Sequence, residues 1–226
     1  MKKLKITAVI VTRKNSRRVK NKNTRLFHNK DSLLSLKIKQ LKKVKEINEI
    51  IVGSDDPKAE LIANRLKVRF CRREKIFCDE KSTSPNDMIR NMLKFFSSDI
   101  VLWAHCTNPF VDEKLYRIAI KTFMRECKKN NHDSLVSLGE TRGHFYFNSS
   151  PLNHNPLSKE HMLASKLKPV FFQDGSIFMR KFSDMKRDGR FCGKKPFYLK
   201  LDSHKTVDIN TNFEFKFAKF LSNKIL

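Results

Sequence analysis

The run Ile6-Thr7-Ala8-Val9-Ile10-Val11 is almost wholly apolar and rich in β-branched residues. Two positions later the chain becomes Arg13-Lys14-Asn15-Ser16-Arg17-Arg18-Val19-Lys20-Asn21-Lys22-Asn23. A strand with no polar alternation is one buried on both faces, the usual condition of a parallel sheet. Its abrupt end in a polar, cationic loop is how such a strand gives way to an anion-binding turn. Arginine and lysine side chains, a serine hydroxyl and free backbone N–H groups together suit a triphosphate. The opening of the chain therefore predicts a buried strand with a nucleotide site at its carboxyl end.

The same alternation continues downstream. Residues 32–45 carry apolar positions at helical spacing with a lysine-rich outer face, and Asp31 or Ser32 is placed to cap them. Residues 49–54 read as a second buried strand, followed by the turn Asp55-Asp56-Pro57 and a helix through 59–63. A short strand around 68–70, a polar loop over 79–85 and a helix over 86–96 lead to a central strand at 99–104. That strand runs into His105-Cys106-Thr107-Asn108-Pro109-Phe110. Residues 113–127 are an amphipathic helix and 134–138 another strand, after which 140–168 loses regular pattern, as a protruding excursion does. Strands at 170–179 and 196–201 precede the acidic turn Val207-Asp208-Ile209-Asn210-Thr211. A final helix is expected to turn Phe213, Phe217, Phe220 and Leu221 inward. Strand alternating with helix is the mark of a single α/β domain with a mostly parallel sheet and helices on both faces. In such sheets ligands bind outside the carboxyl ends of the strands, which places the polar tail of the 99–104 strand in the site.

A length of 226 residues suits one substantial core, and a 39% hydrophobic share with only 6 Gly and 7 Pro excludes disorder and fibrous repeats. No stretch approaches the roughly 18–20 apolar residues of a membrane span. The apolar run after the basic start is cut short by Arg13, so a signal peptide is not expected and the cytoplasm is. Five cysteines form no C-x-x-C pair and leave an odd count, which fits reduced packing thiols and neither a disulfide framework nor a zinc site. The net charge of +25 reads mostly as compositional background, with a secondary role in attracting an anionic nucleotide or substrate. Because Lys and Arg are spread along the whole chain, a nucleotide or small anionic substrate is expected, and nucleic acid is not.

Arg13, Asn15, Ser16, Arg17, Lys22 and Asn23 match, residue by residue, the first motif of the CMP-sugar acid synthetases, the acylneuraminate cytidylyltransferases. This chain resembles that family in four further loops. Ser54-Asp55-Asp56 is similar to its Ser-x-Asp turn, although such turns also punctuate many strands. Arg72, Asp79 and Ser82-Thr83-Ser84 resemble its Arg-Pro and Asp-Thr-x-Ser-Ser region, with Arg73 in place of Pro. His105-Cys106-Thr107-Asn108-Pro109 stands where relatives have Gln-Pro-Thr-Ser-Pro-Leu-Arg, with Thr107 and Pro109 retained and Val111 at the Arg position. His105 there is either a hydrogen-bonding or acid–base group, or a packed one. Gln173-Asp174-Gly175-Ser176-Ile177-Phe178 resembles the Asn-Gly-Ala-Ile-Tyr segment, with Phe172 at the position of a carboxylate-binding Arg. Asp208-Ile209-Asn210 matches Asp-Ile-Asp, whose alternating carboxylates hold Mg²⁺; taken alone, the same triplet before a helix is an N-cap.

The resemblance implies a Rossmann-like nucleotide-diphospho-sugar transferase domain over 1–226, with 140–168 making dimer contacts. It implies transfer of CMP from CTP to a sugar acid with release of pyrophosphate, in a cytoplasmic homodimer. Arg13, Lys22 and Asp208 would be catalytic. Arg13, Asn15, Ser16, Arg17, Lys22, Asn23, Arg72 and Ser84 would hold the nucleotide, and His105, Thr107, Gln173 and Gly175 the acceptor. Mg²⁺ would sit on Asp208 and Asn210. Two alternatives stand beside it. One is a cytidylyltransferase for a phosphonate or phosphorylated alcohol, suggested by Phe172 and Val111; the other is a degenerate basic relative that binds nucleic acid, suggested by the charge and Asn210.

Overall fold

The computed structural model describes residues 4–14, 16, 18–79 and 81–226. Strand β1 (Ile6–Val11) runs straight through the molecule, and the short antiparallel pair β2 (Leu26–His28) and β3 (Asp31–Ser32) delivers the chain into helix α1 (Leu33–Lys42). Ser32 caps α1, its hydroxyl accepting from Ser35 N at 3.2 Å while Ser35 Oγ accepts from Ser32 N at 2.8 Å. Next come β4 (Glu49–Ser54) and α2 (Pro57–Arg65), the latter started by Asp56 as cap and Pro57 in the first turn. Strand β5 (Arg69–Arg72), a 3-10 turn at Lys75–Cys78 and α3 (Pro85–Met92) follow. After β6 (Ile100–Ala104), α4 (Glu113–Lys129) and β7 (Ser134–Thr141), a small hairpin of β8 (Tyr146–Phe147) and β9 (Ser150–Pro151) leads to β10 (Val170–Lys181). The chain closes with α5 (Phe182–Asp188), β11 (Pro196–Leu201) and α6 (Asn212–Ile225).

Seven strands form one sheet in the order β11-β7-β10-β6-β1-β4-β5. β1 lies in its interior, paired in parallel with β4 and β6, which is why its apolar run lacks alternation. The pleat sends Ala8 and Ile10 to one core, packed with Leu34, Ile38, Tyr116 and Phe215, and Val9 to another, packed with Trp103, Met92 and Phe178. Helices therefore cover both faces, as the alternation of elements requires.

The departures from the sequence reading have local causes. β10 is antiparallel to both β6 and β7, the one reversed strand in the sheet among the described residues. It begins opposite the end of β7, with Val170 paired to Thr141, so the 140–168 segment is the loop of an antiparallel pair, which needs no crossover helix. Arg142 closes its base onto the Leu167 carbonyl at 3.1 Å, and Asn153 bonds the Gly143 and Lys168 carbonyls at 2.9 and 3.1 Å. Helix α6 is rotated from the expected orientation: Phe215, Ala218 and Ser222 face inward with Leu221 half-buried, while Phe213, Phe217 and Phe220 face solvent. Both sets have helical spacing, so periodicity alone does not choose between them. Tertiary contacts do: Phe27 packs edge-on against Phe215, and the Arg25 guanidinium lies 3.6 Å from that ring's centroid.

One lysine is wholly inside. Lys37 Nζ donates to the carbonyls of Asn108 at 2.9 Å and Val111 at 3.0 Å, pinning the loop after β6 onto α1. Burial pushes its pKa down to about 7. Between about 7 and 10.5 the unfolded chain binds the proton that the native ammonium has released, so stability rises with pH across that window. Below about 7 the full penalty of the buried charge is present. The melting temperature should therefore climb from pH 7 to 9, and Lys37→Met should flatten that climb; equal slopes for the two proteins would contradict a buried titrating lysine.

Candidate functional site

The carboxyl ends of β1, β4, β5 and β6 meet on one side of the sheet, next to the point where the chain leaves β1 and reverses direction of winding. A cavity of about 320 Å³ opens there. Arg13, Ser16, Arg18, Lys22 and Asn23 form one wall, Arg73, Phe77, Asp79, Thr83 and Met88 the other, with His105 and Thr107 also lining it. A second cavity of about 570 Å³ adjoins it, sharing Arg13, Cys78 and Asp79 and adding Lys14, Arg72 and Lys75.

The cationic loop is held from two directions. Asp55, at the end of β4, accepts the Lys14 backbone N–H at 2.8 Å. Lys22 Nζ donates to the Ile209 carbonyl at 2.6 Å, and Ile209 N donates to the Thr107 carbonyl at 2.9 Å. Ile209 is buried in the core, so Asp208 and Asn210, on either side of it, turn to the opposite face. There Asn210 Nδ2 donates to Asp208 Oδ2 at 2.6 Å while its Oδ1 accepts from Arg18 Nη2 at 2.9 Å. A neutral amide thus links the carboxylate to a guanidinium of the cationic loop. Burial lowers the Lys22 pKa; the Asp208 carboxylate opposes that shift, and Arg18 and Arg13 add to it. The hydrogen bonds of Lys22 and Arg18 thus tie the Asp208 turn to the β1 loop beside the cavity, although neither Asp208 nor Asn210 lines it. The cap of α6 falls one residue beyond this triplet: Thr211 caps the helix, and Glu214 Oε2 accepts from the N–H groups of Asn210 and Thr211, each at 2.7 Å.

His105 lines the cavity as a packed group. Trp103 Nε1 donates to its Nε2 at 3.2 Å, and the Gly175 backbone engages the ring as well. Burial pushes its pKa below the usual histidine value, and both ring nitrogens have partners, which favours the packed role over the acid–base one. Gly175 is required by its φ of +76° at the bulge between Gln173 and Phe178, not by crowding, since an added Cβ would meet His105 Nδ1 at an ordinary 3.7 Å. The residue beside it, Asp174, is buried and accepts from Ser137 Oγ at 2.5 Å and from Ser176 Oγ, while its carbonyl accepts from Asn108 Nδ2 at 3.0 Å. That network stiffens the wall next to His105.

Of the residues expected in the site, Arg13, Ser16, Lys22, Asn23, His105 and Thr107 line the first cavity. Asn15 and Arg17 lie outside the described residues. Arg72 does not reach the first cavity: it is exposed, pairs with Glu60 and opens onto the second. Strand alternation turns the next residue inward, so buried Arg73 lines the first cavity, its guanidinium donating to the Phe77 carbonyl. Ser84 is consumed as the cap of α3, bonded to Asp87 N at 3.1 Å and Asp87 Oδ2 at 2.7 Å. Gln173 is exposed on β10 away from the cavity wall. Phe172 lies across Gly139 of the paired strand, and Val111 is buried in the core. Burial drives the Cys106 thiol up to about 12 and raises that of Cys78, so neither supplies a thiolate. Arg18 and Arg73 are the residues the sequence reading missed; the first was visible in the cationic loop and the second as the substitution for Pro. Among the described residues no group of three His, Cys, Asp or Glu is placed to hold a metal, and no helix is long and apolar enough to cross a membrane.

Residues 7–221 match a family model described as cytidylyltransferase. The fold is shared with a CMP:2-keto-3-deoxy-manno-octonic acid synthetase complexed with CTP, at a TM-score of 0.69 and 13% identity over 98% of this chain and 100% of that one. A 4-diphosphocytidyl-2C-methyl-D-erythritol synthase from Anaerococcus prevotii gives 0.69 and 14%, covering 97% and 96%. A cytidylyltransferase from Leptospira borgpetersenii gives 0.65 and 17%, covering 99% and 88%. No curated protein sequence matches the chain.

Because Lys22 loses its proton below the ordinary lysine range, affinity for a polyphosphate should fall early on the alkaline side. With inorganic tripolyphosphate as probe, calorimetry on the alkaline side, below the ordinary lysine value of about 10.5, should show binding weaken. Lys22→Arg should keep it level, and Lys22→Met should be weaker by roughly tenfold or more at neutral pH. An unaltered affinity in Lys22→Met would remove this ammonium from the anion site.

Proposed function

The chain belongs to the cytidylyltransferase family, and we propose that it transfers CMP from CTP to a hydroxyl of a nonulosonic-type sugar acid, forming a CMP-sugar for surface glycans. The acceptor oxygen bonds to the α-phosphorus and gives up its hydroxyl proton to water, the bond from that phosphorus to the β-phosphate oxygen breaks, and pyrophosphate leaves with the electron pair. The observation that carries this reading is the set of Arg13, Arg18 and Lys22 on the cavity at the strand ends, with the neighbouring Asp208 turn tied to them by the Arg18–Asn210 and Lys22–Ile209 hydrogen bonds. Such a displacement needs little covalent help from the protein and much charge neutralisation. Arg13, Arg18 and Lys22, with the Ser16 hydroxyl, would cradle the phosphates. Asn23 Oδ1, buried on the cavity wall and without a partner among the described residues, offers an acceptor to the nucleoside.

The donor chemistry fits Mg²⁺. A magnesium ion bound with a nucleotide needs one or two carboxylates, the rest of its shell coming from phosphate and water. Asp208 supplies one carboxylate beside the cationic wall, and Asn210 Oδ1, held by Arg18 in this structure, is the second oxygen within the same turn. When bound there, Mg²⁺ would withdraw charge from the α-phosphate. Asn210 also orients both Asp208 and Arg18, a role an aspartate would fill differently.

A phosphorylated or phosphonate acceptor is the second reading, favoured by a particular observation. Neither Phe172 nor Val111 brings a cation to a sugar carboxylate, whereas the adjoining cavity presents Lys14, Arg72 and Lys75 next to Arg13. The exposed Tyr146, Phe147, Leu152 and Leu163 of the 140–168 excursion support a homodimer formed through that segment.

Pyrophosphate release, measured with each nucleoside triphosphate in Mg²⁺ against keto-deoxy sugar acids and phosphorylated alcohols, tests the reading. CTP with a sugar acid should turn over, and Arg13→Ala or Asp208→Ala should lower the rate by about a hundredfold or more while melting as the parent does. Turnover confined to phosphorylated alcohols would select the second reading. DNA binding without any nucleotide turnover would leave a degenerate basic relative. Asn210→Asp, which restores the carboxylate pair, should lower the Mg²⁺ concentration for half-maximal rate; no change would take Asn210 out of the coordination sphere.

A further inference from the structure

The outer face of α6 has no partner in the fold. Phe213, Phe217 and Phe220, at i, i+4 and i+7, are 77%, 47% and 64% exposed, and the first two rings stack at 6.4 Å between centroids. Lys216 and Lys224 are exposed on the same side of the helix, and Lys219 is exposed on the flank between this face and the buried one. The helix's one acidic residue, Glu214, is spent on the cap, accepting from Asn210 and Thr211. This face therefore combines three hydrocarbon rings with two ammonium groups and no carboxylate of the helix.

We propose that this face docks α6 onto an anionic lipid surface, the phenylalanines entering the headgroup boundary and the lysines pairing with lipid phosphates. An interfacial helix needs that pairing of bulky apolar side chains with a cationic rim, and phenylalanine has no polar handle that a protein partner would have to satisfy. A second copy of the chain is a poor occupant. Pairing this face with itself would set Lys216 and Lys224 against their own equivalents in a molecule of net charge +25. Three phenylalanines that are already partly covered also fall well short of the roughly 800 Å² per partner of a stable protein interface. A negatively charged leaflet instead draws in the whole basic chain, and the aromatic stripe decides which side of it lands. Since Thr211 and Asn210 immediately precede the stripe, docking brings the Asp208 side of the cleft close to the lipid.

Sedimentation of the full chain with vesicles of phosphatidylcholine, with and without phosphatidylglycerol, tests this. Binding should require phosphatidylglycerol, and a variant carrying Phe217→Ser and Phe220→Ser should bind roughly tenfold or more weakly while melting as the parent does. Lys216→Glu should weaken binding as well. Phe217→Trp, placed within the stripe, should shift its emission to shorter wavelength when those vesicles are added. Undiminished binding by the double serine variant would mean that net charge alone holds the protein, overturning the proposal. Failure to bind phosphatidylglycerol vesicles would overturn it too, as would a dimer in sedimentation velocity that the same two serines dissociate.

Discussion

The hydrogen bond from Lys22 to the Ile209 carbonyl joins the two ends of the chain, and the site exists because of it. The ammonium pays a desolvation cost on being drawn in, which its lowered pKa records, and the Asp208 carboxylate partly offsets that cost. From this joint the cationic loop after β1 is fixed relative to the turn before α6. The same turn is fixed to the end of β6 through Ile209 N and the Thr107 carbonyl. The loops after β1 and β6 thus line one cleft, with the turn before α6 bonded to both beside it. Each is rooted in a strand or helix whose residues are buried, so the geometry rests on packing and does not depend on loop stiffness.

Asn210 gives the cleft a distinct electrostatic character. Its two amide ends satisfy a carboxylate and a guanidinium at once, which an aspartate in the same place cannot do without changing one of those contacts. The outcome is a cleft lined by several cations and the Asp79 carboxylate, with Asp208 beside it. Such a balance favours a highly charged anion as the ligand and leaves the metal, where one is bound, to rely on phosphate oxygens for most of its shell.

Much of this was legible in the sequence because burial leaves a plain signature. β1, β4 and β11 fall at the residues their apolar runs indicated, and Arg13, Ser16, Lys22, Asn23, His105 and Thr107 reach the cavity as their places at strand ends implied. What was not legible required three-dimensional information. The direction of β10 depends on its being the return of a hairpin-like pair with β7. The rotation of α6 depends on Phe27 and Arg25 engaging Phe215 instead of its neighbours. The exchange of Arg72 for Arg73 is a one-residue matter of strand alternation, and the loss of Ser84 to a helix cap is a competition that a motif match does not see. For His105 the sequence left two roles open, and the bonds of Trp103 and Gly175 to its ring, invisible in the sequence, favour the packed one.

The central claim is that Arg13 and Asp208, from opposite ends of the chain, act on the same polyphosphate. A double-mutant cycle on the affinity for CTP in Mg²⁺, built from Arg13→Ala, Asp208→Ala and the combined variant, measures this directly. The shared ligand should make the two losses non-additive by about 0.5–3 kcal/mol, as for groups acting on one charge network. Losses that add to within about 0.5 kcal/mol would show two independent sites and contradict the account.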